Sequence, residues 1–576
     1  MKEQVVTLLR DKPAIRWTAL VLLAFAMFCA YIFADILSPI KDLMQSTPRL
    51  GWDSTAFGTM QGSEMFLNVF IFFLIFAGII LDKMGVRFTA ILSGFVMLAG
   101  ASVMWYALTD SFNGSGLHTW FTNNLNYIPL FDELGVSPFY GAKYNEAGEL
   151  IRAAMPASAK FSSVGYMIFG CGVEMAGITV SRGIVKWFKG KEMALAMGSE
   201  MALARLGVAT CMIFSPVFAK LGGNVDVSRS VAFGVILLMI ALIMFVVYFF
   251  MDKKLDAQTG EAEEKDDPFK ISDIGKILSS SGFWIVALLC VLYYSAIFPF
   301  QKYAVNMLQC NLKLTEVSAD SFWASNAVTI IQYAIMLVVA ATAFASNFSK
   351  KNMRIALLTT SVVFLITFCV MGYMRQSAET IFAVFPLLAV GITPIIGKYV
   401  DTKGKAASML MIGSILLIAC HLTFAFILPM FKEVTVDGVI VAKGSAIGGV
   451  IVAYVTILVL GASFSLVPAS LWPSVPKLVS SKVIGSAYAL IFWIQNIGLW
   501  LFPLLIGKIL DASNPEVVQA LQENKMTLEE AATSYNYTNP LIMLAGLGVA
   551  ALLLGLYLKV VDKKKGYGLE IPNIKS

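Results

Sequence analysis

Long apolar runs recur along the whole chain, and they constrain the fold more than any other feature of the sequence. Each run holds about 20 or more mostly apolar residues, which is the length of helix that crosses the hydrocarbon core of a bilayer. The runs cover residues 17–39, 56–81, 87–108, 160–187, 192–219, 229–251, 282–309, 320–346, 354–373, 378–399, 405–430, 447–471, 483–509 and 539–560. With 58% hydrophobic and 14% charged residues, the chain is too apolar for a soluble protein of 576 residues. The sequence therefore predicts an all-α polytopic membrane protein with about 14 transmembrane helices.

The basic residues between the runs predict the orientation of the chain. If the N-terminus is cytoplasmic, the cytoplasmic segments hold roughly twice as many Lys and Arg as the outer loops, as the positive-inside rule requires. Both termini are then cytoplasmic. No basic stripe interleaved with aromatic residues lies outside the runs, so we expect no nucleic-acid partner. The seven cysteines lack the spacing of metal ligands, and we expect neither a metal nor another cofactor.

One short pattern occurs twice and indicates two related halves. The segment Gly78-Ile-Ile-Leu-Asp82-Lys83-Met-Gly85-Val-Arg87 recurs as Gly397-Lys-Tyr-Val-Asp401-Thr-Lys-Gly404-Lys, and each copy closes a turn between two helices. The glycines allow a tight turn, and the Asp and basic residues can bridge neighbouring helix ends. We expect gating residues at both cytoplasmic turns, namely Asp82, Lys83, Gly85, Arg87, Asp401 and Gly404.

The repeat predicts how the chain is divided. Residues 1–251 form an N-terminal six-helix half, residues 252–281 a charged cytoplasmic linker, and residues 282–576 a C-terminal half. The second half holds two apolar runs more than the first. We therefore expect an inserted transmembrane hairpin at about residues 320–374, which preserves the topology because it adds an even number of helices. The polar loop at residues 110–160 is either a small lid or decoration.

Two opposite charges interrupt consecutive apolar runs at the same depth. Glu174 lies before the basic turn at residues 188–191 and Arg205 after it, both roughly 20 Å along their helices. An ionised group near the bilayer midplane costs at least about 2.5 to 3.5 kcal/mol, so it usually marks a site inside the helix bundle. Two interpretations follow. The charges form a permanent structural salt bridge, or a zwitterionic substrate binds between them.

The duplicated turn resembles the signature loop of the major facilitator superfamily, which implies two six-helix halves joined by a central cytoplasmic loop. Within that superfamily, the chain resembles the branch of lysosomal dipeptide uniporters. Matching stretches are Gly172-Val-Glu174, Trp187-Phe-Lys-Gly-Lys-Glu192, Ala204-Arg205-Leu-Gly207, Tyr293-Tyr294, Phe298-Pro-Phe300, Leu471-Trp472-Pro473 and Ile494-Gln495-Asn496. The resemblance implies that the Glu174 and Arg205 positions engage the amino and carboxyl ends of a dipeptide. It also implies an accessory subunit, which nothing in this sequence indicates.

Further candidates complete the expected binding pocket. Aromatic and amide residues of the central runs are either substrate contacts or packing residues: Tyr31, Tyr293, Tyr294, Phe298, Trp472, Trp493, Gln495 and Asn496. Glu64 and Glu200 are intramembrane acids that the resemblance does not imply. They are candidate proton sites, acceptors of cationic side chains, or hydrated pore walls. Lys302 either pairs with a carboxylate or extends toward the membrane surface.

These observations predict a membrane carrier for dipeptides that works as a uniporter, by rocking of two halves around a midplane site. A proton-coupled symporter or exporter of another small organic zwitterion or anion is the alternative. An integral-membrane enzyme is disfavoured because no Ser-His-Asp, His-Glu-x-x-His or Cys-His cluster is visible. Since the tails lack an acidic dileucine pattern, we expect the cytoplasmic or inner membrane of a bacterium rather than a lysosome.

Overall fold

The computed structural model describes residues 8–572, with the exception of residues 149, 190, 260–270, 313, 315–316, 319, 433, 437–438, 443–445, 479–483 and 523–524. Fourteen helices correspond to the predicted apolar runs. They are α1 (Pro13–Ala34), α2 (Ser54–Ser63), α3 (Phe73–Ala107), α4 (Ala157–Trp187), α5 (Met193–Ala219), α6 (Val227–Thr259), α7 (Ser281–Leu312), α8 (Asn326–Ser346), α9 (Lys351–Met374), α10 (Ala378–Lys403), α11 (Ala406–Leu422), α12 (Ala446–Leu478), α13 (Ile484–Ala512) and α14 (Thr538–Lys565).

Shorter elements connect or extend these helices. Short α-helices are Lys41–Ser46, Phe66–Phe70, Asp110–Asn113, Gly116–Asn123, Ile271–Leu278, Pro515–Gln522 and Leu528–Ala532. Single turns of 3-10 helix are Leu9–Asp11, Ser38–Ile40, Phe322–Ala324 and Leu428–Phe431, and Thr423–Ile427 is a π-helical turn that follows α11. Two antiparallel strand pairs, Lys143–Tyr144 with Leu150–Arg152 and Val434–Val436 with Val439–Ala442, lie in loops.

Thirteen helices of the described part of the chain are long and apolar enough to cross a membrane, which confirms a multi-pass membrane protein. The predicted run at residues 56–81 is wrong as a single helix. It is divided into α2, the short helix Phe66–Phe70 and the first turns of α3. Phe72 adopts the left-handed conformation at φ 55°, which a bulky residue rarely adopts, and its ring stacks on Trp493 at 5.1 Å. The Trp493 indole also donates to the Val69 carbonyl at 2.9 Å, so a contact from α13 stabilises the break.

Both copies of the repeated turn contain a glycine with positive φ. Only a residue without Cβ adopts this backbone conformation easily. Gly85 has φ 77° at a kink within α3, and Gly404 has φ 74° after α10. The C-terminal segment binds beside the second turn, because the Glu570 carbonyl accepts from Lys405 at 3.2 Å. The N-terminal segment lies on the same side, where Asp11 pairs with Lys191 at 3.1 Å. We call this side the terminal face and the opposite side, with residues 109–156, the loop face.

The predicted linker at residues 252–281 is not a plain loop. Helix α6 continues to Thr259, and the helix Ile271–Leu278 follows. Residues 260–270 lie outside the described part of the chain. The extension of α6 is stabilised by Asp252, which is fully buried and accepts from Lys186 at 2.6 Å and from the Trp187 indole at 2.9 Å. Asp252 therefore pairs with α4 instead of remaining solvated.

Helices of the two halves meet along three seams toward the loop face. Helix α2 packs along α13, the turn Ser38–Ile40 that follows α1 packs against α7, and α5 packs against α10. Helices α8 and α9 form a hairpin, and α8 contacts both α5 and α10. Tyr333 of α8 lies 3.2 Å from the Thr210 hydroxyl, and its ring is 4.9 Å from that of Phe214. The hairpin therefore touches both halves of the bundle.

Glycines allow the closest approach between helices along the seam of α2 and α13. A Cβ added at Gly62 of α2 would collide with the Trp500 carbonyl of α13, and one at Gly58 would collide with the Pro503 carbonyl. Within the first half, a Cβ at Gly100 of α3 would likewise collide with the backbone of Phe169 in α4. The first two collisions lie on the seam between the two halves, whereas the third lies within the first half.

We expect Gly62→Ala to disfavour closure of the loop face. Forcing a methyl group into a packed contact costs about 1 to 3 kcal/mol, so the ratio of closed to open molecules should fall about 5- to 150-fold. A cysteine at Thr55, which contacts Asp511 across the seam, should then react faster with an impermeant maleimide added from the loop face. In the control Gly100→Ala, the melting temperature should fall without faster labelling. Equal labelling of the Gly62→Ala variant and its parent would contradict this account of the seam.

Candidate functional site

The Arg205 side chain lies against aromatic rings from both halves. Its guanidinium carbon is 5.7 Å from the ring centre of Tyr31 in α1, 5.2 Å from that of Phe298 in α7 and 4.8 Å from that of Phe464 in α12. Rings at such distances attract a cation through their electron-rich faces without forming a hydrogen bond to it. The donor groups of Arg205 therefore remain available to a ligand.

Four charged groups lie near the hydroxyl of Tyr31. The charges of Arg205, Glu200, Glu174 and Glu64 all act on that hydroxyl, and the charge of Arg205 also acts on Glu200. Glu174, Glu200 and Arg205 are each half-buried. Glu174 and Glu200 have no hydrogen-bond or ion-pair partner among the described residues, and Arg205 contacts only rings there. Glu174 and Arg205 thus share a site but do not form a closed salt bridge.

Several of the predicted aromatic residues gather beside Arg205. The Tyr294 ring lies 5.3 Å from that of Phe298, and the Trp472 indole donates to the Tyr294 hydroxyl at 3.1 Å. Phe464, which the sequence did not single out, completes the group and contacts Phe298 at 5.7 Å. One wall of the site is therefore aromatic and belongs mostly to the second half.

Other predicted pocket residues are engaged elsewhere. Tyr293 is fully buried, and its hydroxyl binds the Leu410 carbonyl and lies 2.7 Å from that of Ser414. The Gln495 side-chain carbonyl accepts from the Cys290 thiol at 3.3 Å. Asn496 is buried, and its amide nitrogen lacks a partner among the described residues. Trp493 contacts Phe72 and the Val69 carbonyl at the break in the second predicted span, as described above. The structure does not bring these four residues into contact with Arg205.

A buried ionic cluster closes the site toward the loop face. The Lys302 ammonium of α7 lies 3.1 Å from the Asp35 carboxylate and 3.8 Å from that of Glu64, and it donates to the Tyr166 hydroxyl at 3.2 Å. Gln301 donates to the second Asp35 oxygen at 2.7 Å. Lys302 therefore pairs with carboxylates from the other half and does not extend to the membrane surface. Asp35 was not among the predicted site residues, although an acid near the end of the first apolar run was a usable signal.

A second layer of contacts joins the halves nearer the loop face. The Asp511 carboxylate of α13 accepts from the Thr55 amide and hydroxyl, both at 2.7 Å, and so adds negative charge at the N-terminus of α2. The Lys41 ammonium donates to the Asn306 amide oxygen at 3.0 Å. Part of the loop at residues 110–160 covers this layer, because the Lys508 ammonium of α13 binds the Gly135 carbonyl. The site is closed on this face.

Asp53 gives the loop-face layer a dependence on pH. It caps α2 by accepting from the Ala56 amide at 2.6 Å, with the Tyr140 hydroxyl at 3.5 Å and the cation of Arg152 nearby. Burial, followed by the charge of Asp511, raises the pKa of Asp53 from 3.8 to about 7. The unfolded chain therefore ionises first, and stability falls as the pH rises from about 4 to about 7.

We expect the melting temperature in detergent to fall between pH 5 and pH 8. The variant Asp53→Asn keeps an N-cap acceptor but cannot ionise, so its melting temperature should change less over the same range. An equally steep decline in the variant would show that another group causes the pH dependence.

On the terminal face, the predicted gating residues form ion pairs within the first half. The Asp82 carboxylate pairs with Arg182 at 2.7 Å, and Arg87 pairs with Asp256 at 2.8 Å. Lys83 is exposed. The role of these residues and of Asp401 and Gly404 in gating stays a prediction. No group of His, Cys, Asp or Glu suited to a metal ion occurs within the described ranges.

Comparison with known proteins agrees with this architecture. The model of the Major Facilitator Superfamily matches residues 150–378. The chain is 24% identical over 356 residues to the lysosomal dipeptide transporter MFSD1 of Bos taurus and 23% identical over 356 residues to that of Homo sapiens. These matches cover 60% of this chain, and they span 58% and 59% of the two relatives. The chain thus resembles the lysosomal dipeptide transporters over somewhat more than half of their length.

Solved structures show the same fold. The nucleoside transporter NupG superimposes with a TM-score of 0.57 at 12% identity, covering 94% of this chain and 98% of that one. A bacterial homologue of the human drug peptide transporters PepT1 and PepT2 gives a TM-score of 0.53 at 12% identity, covering 96% and 99%. The chain has the major facilitator superfamily fold.

Proposed function

We propose that this protein is a membrane carrier for dipeptides and not an enzyme. The observation that carries the proposal is the open charge pair: Glu174 and Arg205 share one site but are not paired with each other. A dipeptide zwitterion supplies the missing partner for each. Its α-ammonium binds the Glu174 carboxylate, and its carboxylate binds the Arg205 guanidinium. The curated relatives that this chain resembles are themselves described as dipeptide transporters.

The chemistry of the two groups suits this assignment. A guanidinium presents parallel N–H donors that match the two oxygens of a carboxylate, and such charge-assisted pairs are roughly twice as strong as neutral hydrogen bonds. The rings of Tyr31, Phe298 and Phe464 hold the guanidinium in place without occupying its donors. Since both ends of the peptide backbone are recognised, many side chains are accepted.

Transport follows from rocking of the two halves about this site. The closed loop face corresponds to one end state, in which substrate exchanges with the terminal face. In the other end state, the seam between α2 and α13 opens and the Lys302 cluster separates. The excess of basic residues assigns the terminal face, with both chain ends, to the cytoplasm. We place the protein in a bacterial cell membrane, although the named relatives are lysosomal. The small peptide and the bilayer are its partners in this proposal, without a cofactor.

We propose uniport, because the Lys302 ammonium already compensates the Asp35 carboxylate and lies near that of Glu64. One observation favours proton symport as a second candidate. In that cluster the carboxylates of Asp35 and Glu64 share the ammonium of Lys302, which belongs to the opposite half. If the halves separate, Lys302 moves away from both carboxylates, and protons would then have to neutralise them. Glu64 would then be the proton site.

Uptake of radiolabelled Ala-Ala into proteoliposomes that contain only this chain tests the proposal. Saturable uptake without any pH gradient, and accumulation no higher than the external concentration with one, would support uniport. Accumulation above the external concentration, driven by a pH gradient, would support symport. Absence of saturable uptake by correctly folded protein would contradict the assignment to dipeptides, or indicate that an accessory subunit is required if its addition restores uptake.

A further inference from the structure

An apolar cavity of about 270 Å³ lies where the first turns of α3 and α13 approach the short helix Ile271–Leu278 and the start of α7. Two of its lining side chains carry a polar atom, and both of these atoms are already bonded. The Trp284 indole donates to the Leu278 carbonyl at 2.8 Å, and the Trp493 indole donates to the Val69 carbonyl at 2.9 Å. The cavity therefore offers an occupant only carbon surface.

This cavity opens toward the membrane at the depth of the acyl chains. Phe72, Leu278 and Trp284 line it and are exposed on the outer surface of the bundle. Ala489 and Trp493 also line it, and they lie about 8 to 14 Å from the terminal-face end of α13. Half of the hydrocarbon core is about 15 Å thick. The molecules next to the opening are therefore the lipids of the leaflet on the terminal face.

The short helix Ile271–Leu278 marks the level of the lipid headgroups. Ile274 and Leu278 are four residues apart, so they share one side of the helix, and both line the cavity. Ile277 is fully buried. A short helix that packs one apolar side against the bundle and directly precedes a membrane span is typical of the membrane surface.

A cation lies one helical turn from the cavity, at this same level. The Lys565 ammonium at the end of α14 donates to the Ser281 hydroxyl at 2.7 Å. Ser281 is the first residue of α7 and precedes Trp284 by three residues, which is about 4.5 Å along the helix and on the same side of it. An ammonium has three donors, so Lys565 retains donors for a second acceptor.

We propose that this cavity binds an acyl chain of an anionic phospholipid from the terminal-face leaflet, with the phosphate of that lipid beside Lys565. The carbon lining excludes a dipeptide or a free phosphate from the cavity, because either would lose its hydration without gaining hydrogen bonds. A lysine near the membrane surface favours an anionic headgroup about fivefold. The proposal is independent of the substrate that the protein carries.

Photolabelling tests this site on the full chain in detergent. The probe is phosphatidylglycerol with a diazirine in one acyl chain, added at less than one molecule per protein, and the labelled peptides are identified by mass spectrometry. Unlabelled phosphatidylglycerol and phosphatidylcholine compete with the probe. Ala489→Phe fills the cavity, and Ala550→Phe enlarges an equally half-buried alanine of α14 as its control. Lys565→Gln removes the cation, and Lys563→Gln removes an exposed lysine of the same helix end.

We expect the label on peptides that contain Trp284 or Ala489. Ala489→Phe should reduce it about fivefold or more, and Ala550→Phe should leave it within about twofold of the parent value. In the parent and in Lys563→Gln, phosphatidylglycerol should displace the probe at about fivefold lower concentration than phosphatidylcholine, and Lys565→Gln should abolish that difference.

Label spread over all lipid-facing helices of the parent would overturn the proposal, and this result does not depend on the folding of any variant. Unchanged labelling of a folded Ala489→Phe would also overturn it. Equal displacement by both lipids in the parent would show that Lys565 does not select the headgroup, which contradicts the anionic part of the assignment.

Discussion

Replacing Arg205 by alanine is expected to reduce Ala-Ala uptake by about 100- to 10,000-fold. The substitution removes two charge-assisted hydrogen bonds to the substrate carboxylate, worth about 1.5 to 3 kcal/mol each, and every 1.4 kcal/mol is about tenfold. It also leaves the site with the carboxylates of Glu174 and Glu200, which repel the carboxyl end of a peptide. Initial uptake rates in proteoliposomes, normalised to the amount of folded protein, measure the effect.

Arg205→Lys separates charge from geometry. An ammonium keeps the attraction but cannot form the planar two-bond contact, so this variant should show intermediate uptake. The rings of Phe298 and Phe464 accept either cation. If the alanine variant transports within threefold of the parent, Arg205 does not bind the substrate and the clamp is wrong.

Lys302→Ala is expected to lower the free energy of unfolding by about 3 to 5 kcal/mol. Breaking a buried ion pair by removing one partner leaves an uncompensated charge, and here the Asp35 and Glu64 carboxylates both lose their cation. The side chains involved are at most 10% exposed, so water replaces little of the lost interaction. Unfolding in mixed micelles, followed by titration with denaturing detergent, measures the change.

Compensating substitutions test the reason for that loss. In the triple variant Asp35→Asn, Glu64→Gln and Lys302→Ala no charge remains in the cluster, so more than half of the lost stability should return. Lys253 is exposed at the end of α6, and Lys253→Ala should change the free energy by less than about 0.5 kcal/mol. A Lys302→Ala variant as stable as its parent would mean that the cluster does not hold the halves together.

Apolar runs and the repeated turn predicted most of the helical architecture, because both properties are local. A bilayer needs about 20 apolar residues for each crossing, wherever they lie in the chain. The glycine of each turn adopts a positive φ that its sequence context requires, as at Gly85 and Gly404. The break in the second span could not be predicted in this way. Its stabilising contacts come from Trp493, more than 400 residues further along the chain.

The site was predicted only in part, because some of its residues carry a local signal in the sequence and others are identified only by packing. Depth along a helix identified Glu174 and Arg205, since both lie far from the nearest turn. Whether the two charges touch depends on how α4 and α5 rotate against the other helices, and the sequence contains no signal for that. Phe464 was one of 41 phenylalanines, so nothing distinguished it before the packing around Arg205 was known. The resemblance also suggested Tyr293, whose hydroxyl instead binds α11.

End-blocked peptides show whether Glu174 and Arg205 bind opposite ends of one dipeptide. Binding of Ala-Ala, N-acetyl-Ala-Ala and Ala-Ala-amide is measured in detergent for the parent protein, Glu174→Gln and Arg205→Ala. We expect the acetyl group to weaken binding to the parent and to Arg205→Ala, but to have little further effect in Glu174→Gln. The amide should weaken binding to the parent and to Glu174→Gln, but should have little further effect in Arg205→Ala. Losses that add independently in all combinations would show that neither residue contacts the peptide end assigned to it.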